Sequence, residues 1–147
     1  MKFYIGSDHA GFRTKETLKK RLAGMKVRIV DMGAFDEERS DYPDFAKKVS
    51  QAVVNDKGSF GLLVCGTGIG MCIAANKVRG VRAANPFDEY TAAVAREHNS
   101  ANVICLGGRT YKASKAQRIL DAFITSKPSR EKRHRRRVEK ICEMERR

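Results

Sequence analysis

The stretch FGLLVCG, residues 60–66, is apolar on both faces and ends in glycine. This pattern is typical of a strand at the centre of a parallel sheet, because helices cover such a strand from both sides. A helix is predicted directly after it, from about residue 70 to residue 78. The stretch therefore predicts one strand-to-helix unit of an open α/β sheet.

The same alternation recurs on both sides of this unit. Short apolar runs that end near glycine or asparagine alternate with longer segments of helical period. The predicted strands cover 2–6, 26–33, 60–66, 80–85 and 101–108, and the predicted helices that follow them cover 14–24, 41–55, 70–78, 87–99 and 112–124. Five such units predict a Rossmann-like three-layer α/β sandwich with a five-stranded parallel sheet.

The pattern changes after Pro128, where a strongly basic segment begins. Val138, Ile141 and Met144 give it a narrow apolar stripe, which predicts an extended helix over about 128–147. A helix this charged is a poor core element of its own subunit, so it is expected to contact a partner subunit. At 147 residues the chain is expected to form a single domain, residues 1–147.

The composition argues against several classes of protein. No apolar run approaches the roughly 20 residues of a membrane span, and no signal-peptide core follows Met1, so a cytoplasmic protein is expected. The four cysteines show no C-x-x-C spacing, which disfavours disulfides and structural zinc. The net charge of +13, of which +6 lies in residues 126–147, leaves nucleic acid or a small anionic substrate as the partner.

A loop with alternating glycines follows the central strand. Gly66, Gly68 and Gly70 let several backbone N–H groups point inward at the start of a helix, which predicts an anion site. The spacing is G-x-G-x-G, and no Gly-Lys-Ser/Thr follows, so both dinucleotide and P-loop nucleotide binding are disfavoured. Cys65, beside this loop, is either a reactive thiolate or a small buried apolar residue.

Polar side chains follow the other predicted strands and helices as well, and we expect them to meet Cys65 at one edge of the sheet. Each also has a structural interpretation, as a helix cap or a solvated loop residue. They are Asp8, His9, Asp41, Tyr42, Asp44, His98, Asn99 and Arg109.

Several longer motifs make the chain recognisable. The segments GSDHAGF, DYPD, CGTGIGMCIAANK, VRAA, AREHNSANVICLGGR and RHRRRVEKI occur in this order over nearly the whole length. Together they resemble the type B ribose-5-phosphate isomerase family, which includes related sugar-phosphate isomerases. The resemblance implies interconversion of ribose 5-phosphate and ribulose 5-phosphate without metal or organic cofactor. It also implies a homodimer, or a dimer of dimers, with each site assembled from two chains.

The resemblance also assigns roles to individual residues. It implies that Cys65 removes the C2 proton, that His98 opens the sugar ring with help from Thr67, and that Asp8 moves protons between O1 and O2. The residues implied to bind substrate or its phosphate are Asp8, His9, Tyr42, Gly66, Thr67, Gly68, Ile69, Gly70, Asn99, Arg109, Arg133 and Arg137. Arginine suits phosphate because its guanidinium forms forked, charge-assisted hydrogen bonds.

Two alternatives remain open from the sequence. A relative acting on a hexose 6-phosphate, such as allose or galactose 6-phosphate, would use the same acid and base chemistry with a longer pocket. The other alternative is a basic RNA-binding protein that uses the C-terminal helix. The absence of aromatic residues in this segment disfavours base stacking.

Overall fold

The alternation of apolar runs and amphipathic segments produces five strands and six helices in residues 1–145, which are the residues that the computed structural model describes. The strands are β1 (Lys2–Ser7), β2 (Arg28–Asp31), β3 (Phe60–Cys65), β4 (Ala83–Ala84) and β5 (Val103–Gly107). The helices are α1 (Phe12–Gly24), α2 (Tyr42–Asn55), α3 (Ile69–Ala75), α4 (Glu89–Asn99), α5 (Ala113–Thr125) and α6 (Lys132–Glu143). Within residues 1–145, no helix combines the length and the apolar character needed to cross a bilayer.

All strands are parallel, and the sheet order is β2-β1-β3-β5-β4. From β1 the chain moves outward to β2, whereas from β3 it moves to the other side of the sheet. The switch point of the topology therefore lies between β1 and β3. In open α/β sheets, ligands bind outside the carboxyl ends of the strands at such a point. Asp8 follows β1, and Cys65 ends β3, so both residues flank the switch point.

The predicted three-layer architecture is confirmed by the side chains of β3. Leu62 and Val64 belong to the apolar cluster shared with α1, α4 and α5 on one face of the sheet. Leu63 and Cys65 belong to the cluster shared with α2 and α3 on the other face. The continuous apolar run at 60–65 thus results from burial on both faces, and the Cys65 side chain lies on the α2/α3 face.

Some predicted bounds are wrong. Helix α3 begins at Ile69 and ends at Ala75, three residues before the predicted end. Strand β4 has only two residues, because it is an edge strand that pairs with β5 alone. The C-terminal helix does not begin at 128: Ser129 N–H donates to Glu97 O, Glu131 is extended, and α6 starts at Lys132. Residues 146 and 147, included in the predicted helix, lie outside the described residues.

Candidate active site

The thiol of Cys65 lies at the carboxyl end of β3 and is 5% exposed. Its Sγ accepts a hydrogen bond from the backbone N–H of Gly68, with an N···S distance of 3.1 Å. The glycine loop therefore places a backbone N–H donor directly against the sulfur.

Glycine is required at two positions of this loop. Gly68 has a φ of 82°, and a Cβ there would lie 2.4 Å from Asn85 Nδ2. At Gly70 a Cβ would lie 2.7 Å from Cζ of Tyr42, so the tyrosine ring packs directly against the loop backbone. Both contacts depend on the missing side chain, which explains the glycines at 68 and 70.

Replacement of Gly68 by alanine is expected to lower the free energy of unfolding by about 1–3 kcal/mol, because the left-handed conformation strains any residue with a Cβ. The added methyl group must also displace the Asn85 amide. Urea unfolding measures the change. Gly24→Ala is the control, since a Cβ at Gly24 has no heavy atom within 4 Å. Equal stability of the two variants would contradict the strain at Gly68.

Asp8 and His9 follow β1 and border the same end of the sheet. Asp8 is 5% exposed, and its Oδ1 accepts the N–H of Gly11 at 2.9 Å. His9 forms two hydrogen bonds with Ser40: the His9 backbone N–H donates to Ser40 Oγ at 3.2 Å, and the ring Nδ1 accepts the Ser40 backbone N–H at 3.3 Å. Because Nδ1 is occupied by this hydrogen bond, Nε2 is the ring nitrogen available to contact a ligand within the described residues.

Arg109 and Thr67 complete the group at the carboxyl edge. Arg109 N–H donates to Gly66 O at 2.9 Å, and a Cβ at Gly66 would lie 3.6 Å from Arg109 Cδ, so the arginine stem lies along the loop. Thr67 Oγ1 accepts the N–H of Ile69 at 3.3 Å and is exposed. We call this set the carboxyl-edge group; its members are Asp8, His9, Tyr42, Cys65, Gly66, Thr67, Gly68, Ile69, Gly70 and Arg109.

His98 and Asn99 lie elsewhere. They end α4, which runs back across the sheet to the start of β5, and Val103 at that start pairs with Gly61 at the beginning of β3. Cys65 pairs with Gly107 at the opposite end. The two pairings are four residue steps apart along the strand, roughly 13 Å. The expectation that His98 and Asn99 meet Cys65 at one edge of a single chain is therefore wrong.

The C-terminal helix lies beside the end of α4. The rings of His98 and His134 are stacked, with centroids 4.1 Å apart and an interplanar angle of 6°. Arg133 and Arg137 flank His134 on α6, and both are exposed; Arg133 Nε donates to Glu131 Oε2 at 2.6 Å. We call His98, Asn99, Arg133, His134 and Arg137 the amino-edge group.

The side chain of His134 is buried. It is 4% exposed, and neither Nδ1 nor Nε2 has a hydrogen-bond partner within the described residues. Burial lowers the pKa of His134 below the ordinary value for histidine, and the positive charges of His98, Arg133 and Arg137 act in the same direction, whereas the Glu131 carboxylate opposes them. The surroundings of the ring therefore favour its neutral form.

His134→Phe is expected to remove part of the acid sensitivity of the fold. A histidine with a lowered folded-state pKa contributes stability above its unfolded pKa of about 6.5 and loses it as the pH falls below that value. As the pH falls below about 6.5, the wild-type melting temperature should therefore drop more steeply than that of the variant. Thermal unfolding at a series of pH values measures this difference, and parallel curves would contradict it.

Two further thiols lie near the loop. Cys105 is fully buried, and burial raises the pKa of its thiol. Hydrogen bonds with Cys105 and with the Asn76 amide lower the pKa of Cys72, whose Sγ lies 3.4 Å from Ala83 O. Neither thiol ends a strand at the switch point, so Cys65 alone combines a thiol with the glycine loop. Within residues 1–145, no group of three or more His, Cys, Asp and Glu residues is arranged to hold a metal ion.

Ser40, which orients His9, was not predicted from the sequence, because it lies in a loop without periodicity or motif. His134 lies in the motif RHRRRVEKI, but the sequence carried no signal that its ring stacks on His98. A parallel sheet whose switch point carries a thiol, a carboxylate and a glycine loop is typical of an α/β enzyme that binds a small molecule there.

Comparison with known proteins identifies the family. The model of the family described as Ribose/Galactose Isomerase matches residues 3–141. Ribose-5-phosphate isomerase B of Mycobacterium tuberculosis H37Rv is 41% identical, with 99% of this chain and 91% of that protein covered. Ribose-5-phosphate isomerase B of Escherichia coli K12 is 38% identical, with 99% and 97% covered. This chain belongs to the ribose/galactose isomerase family.

Solved structures agree with this assignment. The ribose-5-phosphate isomerase B of Clostridium thermocellum superposes with a TM-score of 0.96 at 41% identity, covering 99% of this chain and 98% of that chain. The Mycoplasma genitalium ribose-5-phosphate isomerase B, solved with bound ribulose 5-phosphate, gives a TM-score of 0.93 at 41% identity, covering 99% and 96%. Both comparisons confirm the fold over nearly the full length of the two chains.

Proposed function

We propose that this protein interconverts ribose 5-phosphate and ribulose 5-phosphate, with Cys65 as the base that removes the C2 proton. The observation that supports the proposal most directly is the Cys65 thiol at the switch point, with the Gly68 N–H directed at its sulfur. The relatives named ribose-5-phosphate isomerase B support the substrate, including the one solved with ribulose 5-phosphate.

The carboxyl-edge group is suited to the proton-transfer half of this reaction. Removal of the C2 proton leaves an enediolate, whose negative charge lies beside backbone N–H groups of the loop at residues 66–70. The buried Asp8 carboxylate would move protons between O1 and O2. Reprotonation at C1 then gives the ketose.

The substrate enters as a ring, and the amino-edge group is suited to opening it. His98 would donate a proton to the ring oxygen, assisted by the Thr67 hydroxyl at the other edge. Asn99 would hold a sugar hydroxyl, and Arg133 and Arg137 would bind the phosphate together with His9 and Arg109. The His134 ring stacked on His98 would hold the orientation of the His98 imidazole.

Because the two groups lie at opposite edges of one chain, we propose that each active site combines the carboxyl-edge group of one subunit with the amino-edge group of a second copy. An exposed apolar surface supports this homodimer: Ile69 and Ile73 on α3, with Phe87 and Tyr90 near the start of α4, are 56–71% exposed. Such surfaces mark protein interfaces. Ile69 also belongs to the glycine loop, so a second chain seated on this surface would border Cys65.

The test is turnover of ribose 5-phosphate to ribulose 5-phosphate by purified protein in the presence of a chelator. Allose 6-phosphate and galactose 6-phosphate are assayed in parallel, because one added carbon changes the pocket length and leaves the chemistry unchanged. Pentose turnover supports the proposal. A preference for either hexose would overturn the substrate and keep the mechanism, and inactivity on all three would overturn the proposed activity.

A further inference from the structure

The side chain of Arg82 lies against the carboxyl end of α4. Its Nε donates to Asn99 O at 3.2 Å and to Ser100 O at 3.1 Å, and its Nη2 donates to Ser100 O at 2.9 Å. The last carbonyls of a helix have no partner within the helix and form the negative end of its dipole. The guanidinium therefore caps the final turn of α4 with both hydrogen bonds and charge.

The backbone of Arg82 is held independently of its side chain. Its N–H donates to Asn102 Oδ1 at 2.7 Å, and its carbonyl accepts the Asn102 N–H at 3.1 Å. Asn102 directly precedes β5, so the Arg82 backbone is fixed to the start of that strand. On its outer side, Nη1 lies 3.9 Å from Sγ of Cys142 on α6. A single side chain thus links the sheet, the end of α4 and the C-terminal helix.

Within residues 1–145, Arg82 has no carboxylate within salt-bridge distance, so its charge is directed at the helix end rather than at an ion pair. The turn that it caps carries His98 and Asn99, the residues to which the proposed function gives ring opening and substrate binding. Ser100, whose carbonyl accepts two of the bonds, has a φ of 49° and ends the helix.

We propose that Arg82 is a positioning residue that fixes the last turn of α4 and thereby the placement of His98 and Asn99 for ring opening. The inference rests on the proposed function. The planar fork of arginine reaches two successive carbonyls at once, whereas a lysine ammonium at this position would reach fewer of them. Arg82 acts through the helix end and does not contact the substrate.

The experiment separates ring opening from proton transfer. Ribulose 5-phosphate has its O5 blocked by phosphate and therefore has no five-membered ring to open, so exchange of its C1 hydrogen for deuterium in D2O reports proton transfer alone. Conversion of ribose 5-phosphate requires both steps. Arg82→Gln and Arg82→Lys are compared with Arg79→Gln, an exposed arginine three residues earlier that makes no described side-chain hydrogen bond.

Arg82→Gln is expected to lower kcat for ribose 5-phosphate by about 10–100-fold, as misplacement of a catalytic group does. The rate of C1 exchange in Arg82→Gln should fall at least about tenfold less than its kcat. Arg82→Lys should recover part of kcat, and Arg79→Gln should match the wild type in both reactions. Equal losses in the two reactions, which a purely structural role would give, or no loss in either, would overturn the proposal.

If Arg82→Gln does not fold, as judged by its melting curve, the same difference between the two reactions is required of Arg82→Lys. Failure of the proposed function is distinguishable, because in that case the wild-type protein itself would not convert ribose 5-phosphate. A positioning role for Arg82 fails only when the wild type is active and the variants do not separate ring opening from exchange.

Discussion

The Cys65→Ala variant is expected to isomerise ribose 5-phosphate about 10²–10⁴-fold more slowly than the wild type, the range over which a positioned general base contributes to rate. The substitution removes the only thiol at the switch point and deprives the Gly68 N–H of its acceptor. It removes no cationic side chain, so the affinity for the sugar phosphate should change little. Initial rates give kcat, and calorimetric titration gives the affinity.

Cys72→Ser is the matched control for this experiment. Cys72 is a half-buried thiol on the adjacent helix with its own hydrogen bonds, and its replacement should leave kcat within about twofold of wild type. A Cys65→Ala variant that turns over at the wild-type rate would show that Cys65 is not the base. Loss of activity in Cys72→Ser alone would transfer that role to Cys72.

A mixed dimer of two inactive variants is expected to regain about half of the wild-type rate, because a symmetric pair built from one Cys65→Ala chain and one His98→Gln chain contains one intact site. In that dimer the unchanged Cys65 of one chain faces the unchanged His98 of the other. Co-expression with two different affinity tags followed by sequential purification isolates the mixed pair, and initial rates are then measured. The parent variants assayed alone give the baseline.

The matched control pairs Cys65→Ala with Asp8→Asn. Both changes lie in the carboxyl-edge group, so neither site of that mixed dimer has a complete set and no recovery is expected. Recovery in this pair would contradict the division between the edges. Absence of recovery in the Cys65 and His98 pair, from a purified and folded mixed dimer, would mean that each site is built within one chain.

Much of this architecture could be predicted from the sequence. The apolar run at 60–66 predicted a strand buried on both faces, and the structure confirms it as β3 between two helical layers. Strand β4 was overestimated because the first residues of the segment 80–85 have other contacts: Val81 is buried in the α2/α3 core, and the Arg82 side chain is bonded to the end of α4. Only residues 83 and 84 remain to pair with β5.

The division of the site residues between the two edges of the sheet was harder to predict from the sequence. Proximity to strand ends placed Asp8 and Cys65 correctly at the carboxyl edge, since each directly follows or ends a parallel strand. The same reasoning failed for His98, because a residue that ends a crossover helix returns to the opposite edge of the sheet. The direction in which the chain runs, rather than the residue type, decides at which edge of the sheet a residue lies. The motif around His98 does not reveal that direction.

The separation of the carboxyl-edge and amino-edge groups has an evolutionary consequence. In the proposed dimer, duplication of the gene would let one copy lose its thiol half and the other its histidine half, and the pair would still form one complete site. Neither copy could then act alone. Loss of a different half of the site in each copy would therefore be enough to convert such a homodimer into an obligate dimer of two different gene products.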